Sequence, residues 1–372
     1  MNIPFMDLPA QYRGIKKEMD AALAGVIDRA EFIGGPTMEK FEKEFAAATR
    51  SRFAVGVSSG TSALFLSMKA LGLKPGDEVI TVPNTFIATS ETVTEAGGRV
   101  KFVDVDPETF TMDPALMEAA VTKRTFGVIP VHLHGQMADM TRISSIARKK
   151  GLKIVEDAAQ AHLSLHDGKP AGSFSSACCY SFYPGKNLGA YGDAGAVTTP
   201  DRGIAESVTR LRNHGRLTKY THLVEAYNHR LDTLQAAVLS VKLRHLERWT
   251  EMRRKIAVRY REGLKDIVLT PVEKKGNRHV YHLFVIRVET SVRDRLADFL
   301  KKKGVATGVH YPVPLHLQPA YRYLGLKKGS FPVAERLSGE ILSLPIYPEL
   351  TEAQIERVIA SVRAFFGPSR GR

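Results

Sequence analysis

Short runs rich in β-branched and aromatic residues at 78–82 (EVITV), 100–105 (VKFVDV), 126–133 (FGVIPVHL) and 152–157 (LKIVED) alternate with stretches of helical character, and this alternation narrows the fold more than any other feature. The intervals TFIATSETVTEAG, DPALMEAAVTK and ADMTRISSIARKKG each close near Gly or Lys, as helix C-termini do. Two more strand-like runs follow, ACCYSFY (177–183) and GAVTT (195–199). Repetition of this βα type predicts an α/β fold with a mostly parallel sheet covered by helices on both faces. Ligands of such sheets sit beyond the carboxyl ends of the strands, where VEDAAQ and SFYPGKNLGAYGDAG fall.

After about Leu246 the pattern changes. A long basic helix leads to VYHLFVIRV, a charged helix RDRLADFLKKKG, the Pro-rich HYPVPLHLQPAY and a terminal helix TEAQIERVIASVRAFF. We expect residues 1–245 to form an N-terminal segment and a large domain, and 246–372 a smaller α+β domain, with disorder only in the tail GPSRGR. A chain of 372 residues, 44% hydrophobic, can bury a core of that size.

The net charge of +14 favours anionic partners. Much of it is diffuse, but one concentrated stretch is KLRHLERWTEMRRKIAVRYREGLK, where Lys242, Arg244, Arg248, Arg253, Arg254, Lys255, Arg259 and Arg261 interleave with apolar residues as on a helix with a wet basic face. No zinc-finger, RNP or basic-zipper pattern accompanies it, so specific nucleic-acid binding is not expected; a phosphate-bearing small substrate would use the same field. The start MNIPFMDLPAQYRG lacks a basic segment followed by an apolar one, and no apolar run is long enough to span a bilayer, so the cytoplasm is the default expectation. Cys178 and Cys179 are adjacent, which opposes a disulfide framework or a multi-cysteine metal site and suits buried strand residues. His132 and His134 share a strand face in this reading, without a ligand motif that would make them metal ligands.

Lys186 follows an apolar strand, flanked by Gly185 and Gly189, while Asp157 ends a neighbouring one. A lysine and a carboxylate brought to one crevice can hold pyridoxal phosphate, the amine by an imine and the carboxylate by pairing with the pyridinium nitrogen. Gln160, one turn on, can reach the ring hydroxyl. Ser58, Ser59, Gly60 and Thr61 open a helix whose N–H groups can take a phosphate, with Ser181 a second donor; an ordinary N-cap explains the same residues. Phe86, between a strand end and a helix, can stack on a flat heterocycle or belong to the core. Asp157 read alone is equally an N-cap. The lysine loop is not a phosphate-binding Walker loop, because Lys186 is followed by Asn187 and position 180 is Tyr.

The ordered set SSGTSAL, PNTF, VEDAAQ, SFYPGKNLG, GDAGAV, RNHG and NHRLDTLQAA, framed by FMDL and SLPIYPELT, resembles the DegT/DnrJ/EryC1/StrS family of nucleotide-sugar aminotransferases over nearly the whole chain. The resemblance implies the fold-type I architecture of aspartate aminotransferase and a homodimer with pyridoxal phosphate at the subunit interface. It makes Lys186 the covalent anchor, Asp157 the ring-nitrogen partner and Gln160 a contact to the ring hydroxyl. Gly60, Thr61 and Ser181 go to the phosphate, Phe86 to the stacking position, and Asn228 to the phosphate of the neighbouring subunit's cofactor.

Within the family, NLGAYGDAG, HYPVPLHLQPAY and HGRLTKYTHLVEAYNHRLDTLQAAV look like the branch that aminates carbon 3, including enzymes making dTDP-3-amino-3,6-dideoxyhexoses. That branch implies sugar contacts from His310, Tyr311 and His316, with Tyr183 lining the cavity. The implied reaction moves an amino group from L-glutamate to a nucleotide-linked keto-sugar, Arg230 and the basic surface favouring an anionic group of either substrate. UDP-linked 3-keto-sugars and carbon-4 keto-sugars stay open as substrates. Three rivals also stay open: a sugar dehydratase, opposed by Lys186 and the cysteine count; a nucleic-acid-binding regulator; and a fold-type I enzyme acting on free amino acids.

Overall fold

The computed structural model describes residues 2–367; most of the tail in which disorder was expected, 368–372, lies outside the described residues. Helices α1 (Leu8–Asp28) and α2 (Pro36–Ala48) precede the first strand, β1 (Phe53–Val57). The chain then runs α3 (Gly60–Ala70), β2 (Glu78–Thr81), α4 (Ala88–Glu95), β3 (Arg99–Phe102), α5 (Pro114–Ala120), β4 (Thr125–Val128), α6 (Met140–Lys150) and β5 (Lys153–Asp157). It continues through β6 (Ala177–Ser181), β7 (Gly195–Thr199), α7 (Arg202–Leu211) and the 32-residue α8 (Thr233–Leu264).

The seven strands form one sheet in the order β1-β7-β6-β5-β4-β2-β3. β7 is antiparallel to both neighbours, and the other contacts are parallel. The architecture is therefore α/β with a mostly parallel sheet, the fold-type I arrangement.

Side-chain alternation along each strand explains why both faces need cover. Ile80, Ile154, Cys178 and Ala196 join one apolar cluster, with Phe41 and Phe45 of α2, Ile143 of α6 and Leu239 of α8. Their neighbours Val79, Val155, Cys179 and Val197 join the opposite one, with Leu66 of α3, Val93 of α4 and Val208 of α7. Each completely buried Phe of α2 contributes about 1.5–3 kcal/mol relative to exposure. Cys178 and Cys179 thus point to opposite faces as buried free thiols.

The C-terminal part comprises the antiparallel pair β8 (Phe284–Arg287) and β9 (Ile341–Leu344), with α9 (Thr290–Lys302), α10 (Pro332–Glu340) and α11 (Glu352–Phe366). Its cluster joins Phe284, Leu296, Leu344 and Val358 to Ile256, Tyr260 and Leu264 of α8. The division placed at 245/246 therefore falls inside one continuous helix. Two features of that helix differ from expectation: Lys242 and Arg253, assigned to its wet face, are 1% and 5% exposed. They lie on the same side as Leu246, Trp249, Ile256 and Tyr260, a spacing of three to four residues.

The run 126–133 is strand only to Val128. Pro130 has no N–H for a ladder, and Leu133–Gly135 form a short 3-10 turn with His134 at φ 60°, so His132 and His134 do not share a strand face.

Candidate active site

Four chain segments converge at one edge of the sheet. β1 ends at Val57 and leads through Ser59 into α3; β5 ends at Asp157; β6 ends at Ser181; and β7 begins at Gly195, which pairs with both Val57 and Ser181. Packing there is close: a Cβ on Gly195 would stand 2.3 Å from the Ser59 carbonyl oxygen, and one on Gly60 would stand 2.7 Å from Ser181 Cβ. These glycines bring the α3 N-terminus against Ser181. Ser59 caps the helix, its hydroxyl accepting from the Ser62 N–H at 3.0 Å, while Gly60 and Thr61 line the cavity beyond.

That cavity has a volume of about 650 Å³ and also receives Phe86, Asp157, Gln160, Tyr183, Lys186, His310 and Tyr311. Lys186 and Asp157 therefore face one space. Burial lowers the Lys186 ammonium from 10.5 to about 8, against an opposing pull from the Asp157 carboxylate. Asp157 Oδ2 accepts from Thr89 Oγ1 at 2.8 Å and Oδ1 from the Ala159 N–H at 3.1 Å. Thr89 in turn accepts from Thr85 at 2.9 Å, since its own proton goes to the carboxylate. Among the described residues no cationic side chain is within ion-pair distance of Asp157, although it is 5% exposed. A buried carboxylate in that state suits a cationic ring nitrogen.

Gln160 is fixed at both ends of its amide: Oε1 accepts from the His134 N–H at 2.7 Å and Nε2 donates to Tyr311 Oη at 3.2 Å. Phe86, 56% exposed, and Tyr183, 60% exposed, stand at the mouth, with the Phe86 ring 6.0 Å from that of Tyr311. His310 bonds Ser343 Oγ at 2.9 Å and stacks on Phe5 at 5.6 Å; burial and then the Lys186 charge hold it at about 4, neutral. Burial, then the Asp157 carboxylate, push the Tyr311 phenol up.

Two residues of the expected set lie elsewhere. His316, expected near the sugar, is buried and is not part of the lining: its Nε2 meets Glu335 Oε1 at 2.9 Å and the ring packs edge-on against Phe331. Asn228 is exposed and bridges Asn213 outside the cavity of its own chain. The sequence reading also missed Phe5, Met6, Thr89, Arg253 and His282 in the lining. A cation on the apolar side of a helix was the available signal for Arg253; nothing local marks Phe5 or Met6, which reach the site because Ile3 pairs with Val305. His132 is bound to Glu156 at 2.7 Å, and no group of metal-ligating side chains occurs among the described residues.

The residues fit pyridoxal phosphate: a lysine of lowered basicity, a carboxylate without a cation, and a hydroxyl-lined helix start made accessible by glycine. The comparisons agree. A pleiotropic regulatory protein of Geobacillus stearothermophilus is 47% identical over 370 residues, covering 98% of this chain and 99% of that protein. The dTDP-3-amino-3,4,6-trideoxy-alpha-D-glucose transaminase of Streptomyces venezuelae is 45% identical over 363 residues, covering 97% and 95%. The crystal structure of S. venezuelae DesV in complex with a ketimine intermediate superposes with a TM-score of 0.97 at 44% identity, covering 99% of each chain. The model of the DegT/DnrJ/EryC1/StrS aminotransferase family matches residues 13–363, and the chain belongs to that family of pyridoxal phosphate-dependent enzymes.

Proposed function

We propose that this protein transfers the amino group of L-glutamate to carbon 3 of a nucleotide-linked keto-sugar, of the dTDP-3-oxo-dideoxyhexose type, and works as a cytoplasmic homodimer. The observation that carries the reading is Lys186 and Asp157 in one cavity beside the Gly60–Ser181 contact. Relatives named for dTDP-linked and UDP-linked 3-amino sugars support the substrate class.

Pyridoxal phosphate bound here supplies an electron sink for charge developing at the donor α-carbon. The protein supplies the rest. Gly60, Thr61 and Ser181 hold the phosphate at the α3 N-terminus, where the helix dipole favours an anion. Asp157, oriented by Thr89 and the Ala159 N–H, keeps the ring nitrogen protonated. Gln160 holds the ring hydroxyl and Phe86 covers the ring face. With its ammonium near 8, Lys186 Nζ is neutral often enough to act as nucleophile and then to take the proton from the donor α-carbon, a contribution of about 10²–10⁴ in rate. Tyr183, His310 and Tyr311 line the path of the sugar. Asn228, outside its own chain's cavity, serves the cofactor phosphate of the partner.

In Lys186→Ala, borohydride no longer fixes the cofactor to the chain while the thermal melt stays cooperative; a surviving reduced adduct removes the assignment. Mass spectrometry of products from dTDP-, UDP- and GDP-linked 3- and 4-keto-sugars with L-glutamate identifies the substrate, and no product from any 3-keto-sugar refutes the carbon-3 reading. The regulatory name of one relative supports a second reading as a regulatory protein, for which the net charge of +14 favours a nucleic-acid partner. Absence of amino transfer together with steeply salt-dependent DNA binding would establish it instead.

A further inference from the structure

The cavity lining also carries a cation that the reaction described above does not use. Arg253 lines the cavity at 5% exposure, beside Leu283 and Ile346, each 4% exposed. Its Nη1 donates to the carbonyl oxygens of Ile346 at 2.7 Å, Tyr281 at 3.3 Å and His282 at 3.4 Å. No described residue bonds its Nε or Nη2, and neither nitrogen is sealed from solvent. Among the described residues no carboxylate lies within ion-pair distance; Glu349 acts on it only through its field. Burial lowers the guanidinium to about 10, so it stays charged at neutral pH. His282, whose carbonyl oxygen binds Arg253, is held neutral by burial and then by the fields of Lys186 and Arg253.

A buried cation clamped by one nitrogen and open on its other edge is a receptor for an anion. The Nε–Nη2 edge presents two roughly parallel N–H bonds, the fork that a carboxylate accepts in bidentate fashion. We propose that Arg253 is a binding residue for a carboxylate of the amino-acid donor, with Phe5, Met6, Leu283 and Ile346 against the donor's carbon chain. A nucleotide diphosphate fits less well, because an arginine only 5% exposed leaves little room for a bulky partner, whereas a free amino acid is small enough to reach it. The inference rests on the aminotransferase reading and names where its first substrate docks.

The test separates the two half-reactions of the cofactor-loaded enzyme, each followed in a single turnover by cofactor absorbance. In Arg253→Gln the apparent Kd for L-glutamate rises about 10- to 100-fold, as expected for loss of a charged hydrogen-bonded contact. Arg253→Lys recovers part of it, and the Kd for the keto-sugar nucleotide stays within about twofold of the parent in both variants. Calorimetric titration with glutarate, which cannot react, shows the same loss. Replacing L-glutamate by L-glutamine distinguishes the source: an equal loss assigns the α-carboxylate, and a loss confined to L-glutamate assigns the side-chain carboxylate. Unchanged L-glutamate affinity, or equal losses in both half-reactions, overturns the proposal and leaves Arg253 as a clasp between α8 and the C-terminal part. A parent enzyme that responds to neither substrate refutes the aminotransferase reading itself.

Discussion

Lys186 in the protein without cofactor offers a direct measure of the site, because its reactivity depends on one quantity, the fraction of neutral amine. Burial places the ammonium at about 8 rather than 10.5. At pH 7 about one molecule in ten then carries a neutral amine, about 300-fold more than an ordinary lysine. The sign follows from the charged form being the disfavoured one: reactivity climbs tenfold per pH unit below about 8 and levels off above it. Competitive labelling with acetic anhydride between pH 6 and 11, with N-acetyl-lysine amide in the same tube and peptide mass spectrometry for readout, gives the profile of Lys186 alone. Asp157→Asn removes the one field that raises the Lys186 value, so its plateau begins at lower pH. A Lys186 profile that keeps climbing to pH 10 alongside the free amine refutes the argument that this cavity desolvates its lysine.

Two further outcomes follow from named contacts. Thr89→Val deletes the hydroxyl that donates to Asp157, a charged-acceptor bond worth about 1.5–3 kcal/mol, and over 372 residues this lowers the melting temperature by about 2–4 °C, whereas Thr89→Ser restores it; an unchanged melt removes Thr89 from its orienting role. Gly60→Ala forces a Cβ to within 2.7 Å of Ser181 Cβ and 3.1 Å of its Cα, an overpacking cost of about 1–3 kcal/mol at the helix start, so pyridoxal phosphate affinity measured by equilibrium dialysis falls at least about fivefold; equal affinity shows that the phosphate lies elsewhere.

Much of this arrangement can be read from residue order. GAVTT is the strand Gly195–Thr199, and LKIVED yields Lys153–Asp157, because short buried strands bounded by turn residues leave the chain few alternatives. That Lys186 and Asp157 face one cavity was legible because chemistry that needs an amine and a carboxylate beyond strand ends restricts both type and place. The contact of His316 with Glu335 was not: which way a side chain leaves a 3-10 turn depends on what packs there, and Glu335 comes from a helix 19 positions later. The buried stripe of α8 contained its own warning at Lys242 and Arg253, yet a cation inside an apolar face is recognisable only once the neighbouring surface is known. Gln160 shows the same limit differently, since both its partners, the His134 backbone and Tyr311, are distant in sequence.

The 32-residue α8 extends about 48 Å, with Leu239 and Leu246 in the core of the large sheet and Ile256, Tyr260 and Leu264 in that of the C-terminal part. A gene cut at codon 245 would yield two polypeptides, each with a severed apolar stripe and half of a shared spine. Neither fragment could seal its interior alone, so each would expose its half of the stripe until it met the other.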